Sequence, residues 1–242
     1  MLAGTDQPVA PLLRDQLPAD PDPRLEQITI GNLLSMQAGL ERMSGPNYGR
    51  WVSSGNWVRT ALAAPFVAEP GTGMLYSTAS THLLSAILTR ETGRSTLELA
   101  RDWLAPLDPF AITAWDRDPQ GIHLGGNQMG MTLDAMLRFG EMHRQGGTWN
   151  GARVLPAAWI EEAWTTRTRS PWSGLGYGLG WFLGTEGGRE FALARGYGGQ
   201  LIAVGPRMVM AITSNPTQPA RSAGYFGDLM EVVRAGMRLA AA

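Results

Sequence analysis

The residues PGTGMLYST, from Pro70 to Thr78, are the stretch of this sequence that decides its fold. Proline and glycine predict a turn, and the residues that follow, to about Thr92, carry the apolar stripe of a helix. Tyr76 therefore precedes a helix N-terminus, where backbone N–H groups and the positive end of the helix dipole collect. Such surroundings favour a phenolate that could accept a proton from a hydroxyl nucleophile. A packed aromatic ring whose hydroxyl bonds a backbone carbonyl is the open alternative.

Helix signals dominate the chain as far as residue 172. Residues 1–27 are rich in proline and aspartate and predict an extended lead-in. In the mainly helical region 28–172, helix-capping side chains precede segments with helical apolar spacing. These capping residues are Thr29, Asn56, Ser95 and Thr132, and Pro156 opens a further helix as a first-turn proline.

Residues 173–242 have a different pattern. Glycine-rich turns separate four short apolar segments, which predict consecutive antiparallel strands over 177–183, 191–195, 200–204 and 208–213. An amphipathic helix over 223–239 follows. We therefore expect a single α+β (mixed α/β) domain over residues 1–242, with a C-terminal antiparallel sheet flanked by helices.

Two glycine-rich stretches are further candidates for a site. RGYGGQ, Arg195–Gln200, stands at the head of a predicted strand, where glycine lets a substrate approach the backbone and a backbone N–H could serve in an oxyanion hole. GGNQM, Gly125–Met129, could line a cleft. A hairpin turn for the first stretch and a connecting loop for the second are the plain alternatives.

The three histidines do not have the spacing of metal ligands. We expect His82 and His143 on helix surfaces and His123 in a loop, so no metal site is predicted. No dinucleotide-binding fingerprint and no nucleophile elbow occurs, so no cofactor is expected and an α/β-hydrolase fold is disfavoured.

Composition excludes several other classes. The chain has no cysteine and no lysine, which excludes disulfides, P-loops and pyridoxal Schiff bases. The net charge of −1 without a basic run argues against a nucleic-acid partner. No apolar run has the length of a membrane span, and the first residues lack the features of a signal peptide. The compartment stays open.

Five segments, taken in order, resemble those of the serine β-lactamase and penicillin-binding-protein-like superfamily. The resemblance is to its class C-like branch, with family VIII esterases, D-aminopeptidases and 6-aminohexanoate-dimer hydrolases. It is carried by residues 28–40 (ITIGNLLSMQAGL), 70–84, 125–147, 177–181 (YGLGW) and 196–200 (GYGGQ). It covers nearly the whole chain and implies a β-lactamase/transpeptidase-like fold and acyl transfer from small esters, amides or peptides.

The resemblance also implies roles for matched residues. Tyr76 corresponds to the tyrosine base that, with a lysine, activates the nucleophilic serine. Tyr197, Gly198 and Gly199 would line the substrate strand. Gln200 would offer a backbone N–H to the oxyanion.

Three departures from the family pattern change these expectations. Thr78 replaces the usual asparagine, and Tyr197 replaces lysine or histidine, so recognition of β-lactams is not expected. Thr78 and Asn127 are still counted with the substrate-binding residues. A chain without lysine cannot form the family's Ser-x-x-Lys motif. We therefore expect the N-terminal strands and the nucleophile helix to be missing, and this chain alone to be inactive.

Two other functions stay open. One is a non-catalytic module that binds a peptide or amide. The other is a structural remnant that self-associates through apolar surface exposed on Leu83, Leu84 and the sheet.

Overall fold

The computed structural model describes residues 2–213 and 223–240, and the chain forms two compact units. Each unit is assembled from three segments of the chain. The first consists of Met1–Asp102, Ala114–Gly130 and Thr168–Trp172, and the second of Trp103–Thr113, Met131–Arg167 and Ser173–Ala242. The expected mixture of helices and antiparallel sheet is confirmed.

Five α-helices lie in the N-terminal part of the chain. They are α1 (Ile30–Leu34), α2 (Tyr48–Val52), α3 (Trp57–Leu62), α4 (Thr78–Thr92) and α5 (Thr96–Trp103). The Thr29 side chain caps α1 in a reciprocal capping box with Asn32, and the Asn56 side chain caps α3. Gly93 ends α4 in the left-handed conformation, with φ of 66°. The predicted starts of α1 and α3 and the predicted end of α4 at about Thr92 are confirmed.

The lead-in is not extended throughout, so that prediction is wrong. Ala10–Gln16 and Pro23–Gln27 form short 3-10 helices, each with a proline in its first turn. The first N–H groups of a helix have no intrahelical partner, so proline is tolerated there and presets φ. Asp22 caps the second of these helices, and its hydrogen bonds from Arg24 lower the pKa of Asp22 to about 2.

Apolar side chains of the helices form the core of the first unit. Its most deeply buried members include Leu13, Leu33, Trp51, Leu83 and Ile87. Leu83 is only 1% exposed, so the apolar surface expected at this residue is absent.

All three histidines are buried, which corrects the prediction that His82 and His143 lie on helix surfaces, whereas His123 lies outside the helices and strands as predicted. His82 is 0%, His123 2% and His143 4% exposed. His82 follows Ala79 by three residues and therefore shares the α4 stripe that faces the core. His143 packs against Phe139 and its burial lowers the pKa of the imidazole.

The rest of the described residues combine short strands with three α-helices and one 3-10 helix, Ala105–Leu107. The helices are α6 (Leu133–Arg144), α7 (Ala157–Ala163) and α8 (Ala223–Leu239). The strands are β1 (Ile112–Trp115), β2 (Met129–Met131), β3 (Thr148–Trp149), β4 (Ala152–Arg153), β5 (Thr168–Arg169), β6 (Gly176–Tyr177), β7 (Phe182–Glu186), β8 (Arg189–Arg195), β9 (Leu201–Gly205) and β10 (Met208–Ile212). Thr132 caps α6 as predicted. No helix in the described ranges is both long and apolar enough to cross a lipid bilayer.

Six strands form the main sheet, in the order β10-β9-β8-β7-β6-β5. From β6 to β10, consecutive strands pair antiparallel. The single strand predicted over 177–183 is wrong, because the chain bends between β6 and β7. Gly180 has φ of 86° there, and a Cβ at Gly178 would overlap the carbonyl oxygen of Ala163.

Helices α6 and α8 cover opposite faces of β10. A Cβ at Gly140 of α6 would lie 2.7 Å from Val209, and one at Gly236 of α8 would lie 2.6 Å from Met210. Adjacent strand residues point to opposite faces, so each helix packs on one face. Leu137 of α6 is 42% exposed. The glycine at position 140 permits the close packing of α6 on the sheet, and the buried residues of α6 are Ala135, Met136, Gly140, Met142 and His143.

Candidate functional site

Tyr76 is half-buried and stands two residues before α4. Leu75 N donates to the carbonyl oxygen of Met36 at 2.8 Å. The Ser77 hydroxyl accepts from Met43 N at 3.0 Å. Hydrogen bonds on both sides of Tyr76 therefore fix the backbone that carries the phenol.

The first turn of α4 is capped from a distant part of the chain. Ser77 makes no side-chain cap. Instead the Ser44 hydroxyl accepts from Thr78 N at 2.9 Å and lies 2.9 Å from the Thr78 hydroxyl. No sequence pattern pointed to Ser44, because capping rules consider residues close to the helix start.

The loop with Gly125, Gly126 and Asn127 packs on the same turn of α4. A Cβ at Gly125 would overlap the carbonyl oxygen of Thr81, and one at Gly126 would lie 2.7 Å from Thr78 Cγ2. Both positions therefore require glycine. The structure thus brings this loop to Thr78, one of the predicted site residues.

Of the two polar atoms of the Asn127 side-chain amide, only the nitrogen has a hydrogen-bond partner among the described residues. Its Nδ2 donates to the Tyr48 hydroxyl at 2.8 Å. Its Oδ1 is buried and has no hydrogen-bond partner within the described part of the chain. A buried carbonyl oxygen of this kind is costly to leave unsatisfied, so it could accept from an added donor.

A buried pair of side chains anchors the loop further along α4. His82 Nε2 lies 3.0 Å from Asp118 Oδ2, and both side chains are 0% exposed. Asp118 Oδ1 also accepts from the backbone N of Gln120 and of Ile122. This pair was not predicted from the sequence, and it connects the loop to the helix that carries Thr78.

The stretch Gly196–Gln200 is the turn between β8 and β9, in the second unit. Gly196 N donates to the Gln200 carbonyl oxygen at 2.8 Å, and Gly199 has φ of 83°. The Gln200 side chain folds over the turn, since a Cβ at Gly198 would lie 2.8 Å from its Nε2. Tyr197 is 77% exposed. Residues 196–200 therefore form a hairpin turn that exposes the Tyr197 side chain.

No group of three His, Cys, Asp or Glu side chains that could hold a metal ion occurs in residues 2–213 and 223–240. The predicted site residues fall into two groups. Tyr76, Thr78 and Asn127 belong to the first unit, and Tyr197, Gly198, Gly199 and Gln200 belong to the second.

The sequence of residues 3–231 matches the Beta-lactamase family. The chain belongs to this family. The superfamily suggested by the five sequence segments is therefore confirmed. Among curated proteins, none is significantly similar to the chain in sequence.

Several solved structures share the β-lactamase fold with this chain. A candidate 6-aminohexanoate-dimer hydrolase from Bacillus anthracis is 18% identical, with a TM-score of 0.73 over 97% of this chain and 66% of its own. The octameric penicillin-binding protein homologue from Pyrococcus abyssi is 20% identical, with a TM-score of 0.66 over 95% and 60%. EstCE1, a hydrolase with promiscuous acyltransferase activity, is 20% identical, with a TM-score of 0.70 over 96% and 78%. The chain thus spans just under two thirds of the Bacillus anthracis protein.

Proposed function

We propose that the chain provides the tyrosine-bearing part of a serine-hydrolase site that acts on small esters, amides or peptides. We further propose that these 242 residues alone form no acyl-enzyme. The observation that carries the proposal is Tyr76, held on both sides by hydrogen bonds immediately before α4 in a β-lactamase-family chain.

In this proposal Tyr76 works as a general base. Its phenolate oxygen accepts the proton of a serine hydroxyl as the serine oxygen attacks the substrate carbonyl, and the resulting phenol then gives this proton to the leaving group. Fixed backbone on both sides of Tyr76 supports the role, since proton transfer requires a placed acceptor.

The other predicted residues contact the substrate. Thr78 and Asn127 offer polar groups at the first turn of α4. For the second unit taken by itself, we propose that Tyr197, Gly198 and Gly199 contact the backbone of an extended ligand and that the N–H of Gln200 can donate to an oxyanion.

The proposed inactivity of the chain alone follows from its composition. The chain has no lysine, so these residues cannot form a Ser-x-x-Lys motif. Without it Tyr76 has no activated alcohol to deprotonate. Incubation with a p-nitrophenyl ester, followed by intact-mass measurement, is expected to show neither a burst of nitrophenol nor an acyl adduct. An adduct of acyl mass would overturn this part of the proposal.

A test of the proposed role of Tyr76 requires a chain that contains the Ser-x-x-Lys motif. If the reading frame upstream of Met1 encodes a Ser-x-x-Lys helix, the longer protein is expected to be acylated by the ester. Tyr76→Phe in that protein is expected to lower kcat by about 10²- to 10⁴-fold, the usual contribution of a general base. An unchanged kcat would remove Tyr76 from the mechanism.

A second function, a non-catalytic module that binds a peptide or amide, is favoured by Asn127. Its buried Oδ1, without a partner among the residues described, suits the N–H of an amide ligand. Titration calorimetry with an N-acetylated D-amino-acid peptide is expected to show binding without turnover. Asn127→Ala is expected to abolish that binding, and Gln128→Ala, at the exposed neighbouring residue, to preserve it. Equal binding by both variants would count against this function.

A further inference from the structure

Helix α1 ends in a turn that places a methionine where glycine is usual. Gln37 N donates to the Asn32 carbonyl oxygen at 2.7 Å, and Met36 N donates to that of Leu33 at 3.3 Å. This pair of bonds is the Schellman motif, whose left-handed residue is commonly glycine. Met36 occupies that position with φ of 61°. The conformation brings Cβ close to a backbone carbonyl oxygen, and methionine has no short polar group that could offset this cost by a local hydrogen bond.

The side chain of Met36 gives a reason why this position is not glycine. It is 2% exposed, and its Sδ accepts from Ser77 N at 3.4 Å. The Met36 carbonyl oxygen accepts from Leu75 N at 2.8 Å. One residue therefore binds the backbone amides on both sides of Tyr76. Glycine at position 36 would keep the carbonyl contact and lose the sulfur contact.

Gln37 extends these contacts along the segment that leads to Tyr76. Its carbonyl oxygen accepts from Gly71 N at 2.8 Å, and its Nε2 donates to the Gly71 carbonyl oxygen at 2.9 Å and to that of Thr72. The left-handed turn at Met36 thus directs two consecutive residues toward residues 71–77. All of these residues belong to the first unit. A costly backbone conformation that surrounding contacts maintain is typical of functional sites.

We propose that Met36 is a positioning residue for Tyr76. Its strained turn places a carbonyl oxygen and a sulfur against the two amides that flank Tyr76, and these contacts fix the place of the phenol. The inference rests on the proposed function, because the exact place of the phenol affects a reaction rate only if Tyr76 transfers a proton.

The first test uses this chain and needs no activity. Met36→Leu keeps the side-chain volume and the backbone strain, and it removes the sulfur. By amide NMR, hydrogen exchange at Ser77 N is expected to become about tenfold faster, because a buried N–H then lacks its acceptor. The ring signals of Tyr76, assigned by their loss in Tyr76→Phe, are expected to shift or broaden. Met142→Leu, at a 0% exposed methionine of the second unit, is the matched control and is expected to leave both readouts unchanged.

The second test uses a protein that carries the Ser-x-x-Lys motif ahead of these residues. There Met36→Leu is expected to lower kcat by about 10- to 100-fold and to leave KM nearly unchanged, because a misplaced base slows the reaction without weakening substrate binding. In the Tyr76→Phe background the same substitution is expected to have no further effect, since no phenol is left to misplace. A purely structural role for Met36 would instead lower kcat by the same factor in both backgrounds.

The outcomes separate this inference from the proposed function. Wild-type kcat in Tyr76→Phe would overturn both. A slow Tyr76→Phe together with an unaffected Met36→Leu would overturn the role of Met36 alone, and so would equal losses in the two backgrounds. Unchanged Ser77 exchange and unchanged Tyr76 ring signals in Met36→Leu would overturn it in the chain by itself.

Discussion

The two glycine-rich segments, a first segment over Gly125–Met129 and a second over Arg195–Gln200, have similar composition but different physical roles. Glycine at 125 and 126 lets a loop pack directly on the backbone and side chains of α4. Glycine at 196 and 198 belongs to a hairpin turn whose nearest neighbour is the flexible Gln200 side chain. Glycine therefore serves close packing in the first segment and chain reversal in the second. Substitutions should destabilise the first segment and leave the stability of the second nearly unchanged.

The largest effect is expected from Asp118→Ala, which removes the anchor of the first segment. The carboxylate pairs with buried His82 and accepts two backbone N–H bonds. Removing one partner of a buried pair costs about 3–5 kcal/mol, because the remaining polar groups lose their partners without regaining water. Urea denaturation is expected to show a loss of this size in the free energy of unfolding.

Asp116→Ala is the matched control for that variant. Asp116 lies two residues away, is exposed and accepts from the Gln128 side chain. Its replacement should change stability by less than about 0.5 kcal/mol. Equal losses for the two variants would show that His82 and Asp118 do not anchor the loop.

Gly125→Ala is expected to have the next largest effect. The new Cβ would overlap the Thr81 carbonyl oxygen, so the loop must move away from α4. Overpacking of this kind costs about 1–3 kcal/mol. In Gly198→Ala the Cβ meets only the end of the Gln200 side chain, so a much smaller loss is expected in the same denaturation measurement. The comparison fails if Gly198→Ala is the more destabilising of the two.

Local signals in the sequence were sufficient for the starts of α1, α3 and α6 and for strands β8 to β10. Thr29, Asn56 and Thr132 each cap the helix that starts beside them, so a short window contains the whole interaction. The strands β8, β9 and β10 follow from apolar segments between glycine turns. The bend that separates β6 from β7 was missed, because it depends on the packing of Gly178 against Ala163, fifteen residues earlier in the chain.

The contacts that build the candidate site connect residues distant in sequence. Ser44 caps α4 although 34 residues separate it from Thr78, and His82 meets Asp118 across 36 residues. Periodicity does place His82 on the core stripe of α4, so its burial could have been predicted. The identity of its partner could not have been predicted. A buried polar side chain requires a hydrogen-bond partner, but this requirement does not indicate where in the sequence the partner lies.

Ser44→Ala tests the distant cap of α4. The alanine cannot accept from Thr78 N, and loss of an N-cap costs typically about 1 kcal/mol. Ser53→Ala is the control, because the Ser53 hydroxyl donates to the Gly49 carbonyl oxygen on the exposed surface. We expect Ser44→Ala to lower the Tm by several degrees and Ser53→Ala to leave it nearly unchanged. Equal Tm values for the two variants would mean that Ser44 does not cap α4.

The smallest effect is expected from Tyr197→Ala in the second segment. With 77% of its surface exposed, the ring buries little apolar area, so the free energy of unfolding should change by less than about 0.5 kcal/mol. A destabilisation above about 1 kcal/mol would instead show that the ring packs against the protein, and the contrast between the two segments would be lost. If Tyr197 contacts substrate as proposed, the same variant weakens ligand binding without lowering stability. A residue that serves only to stabilise the fold cannot give this result, because its loss would lower both the free energy of unfolding and the affinity for the ligand.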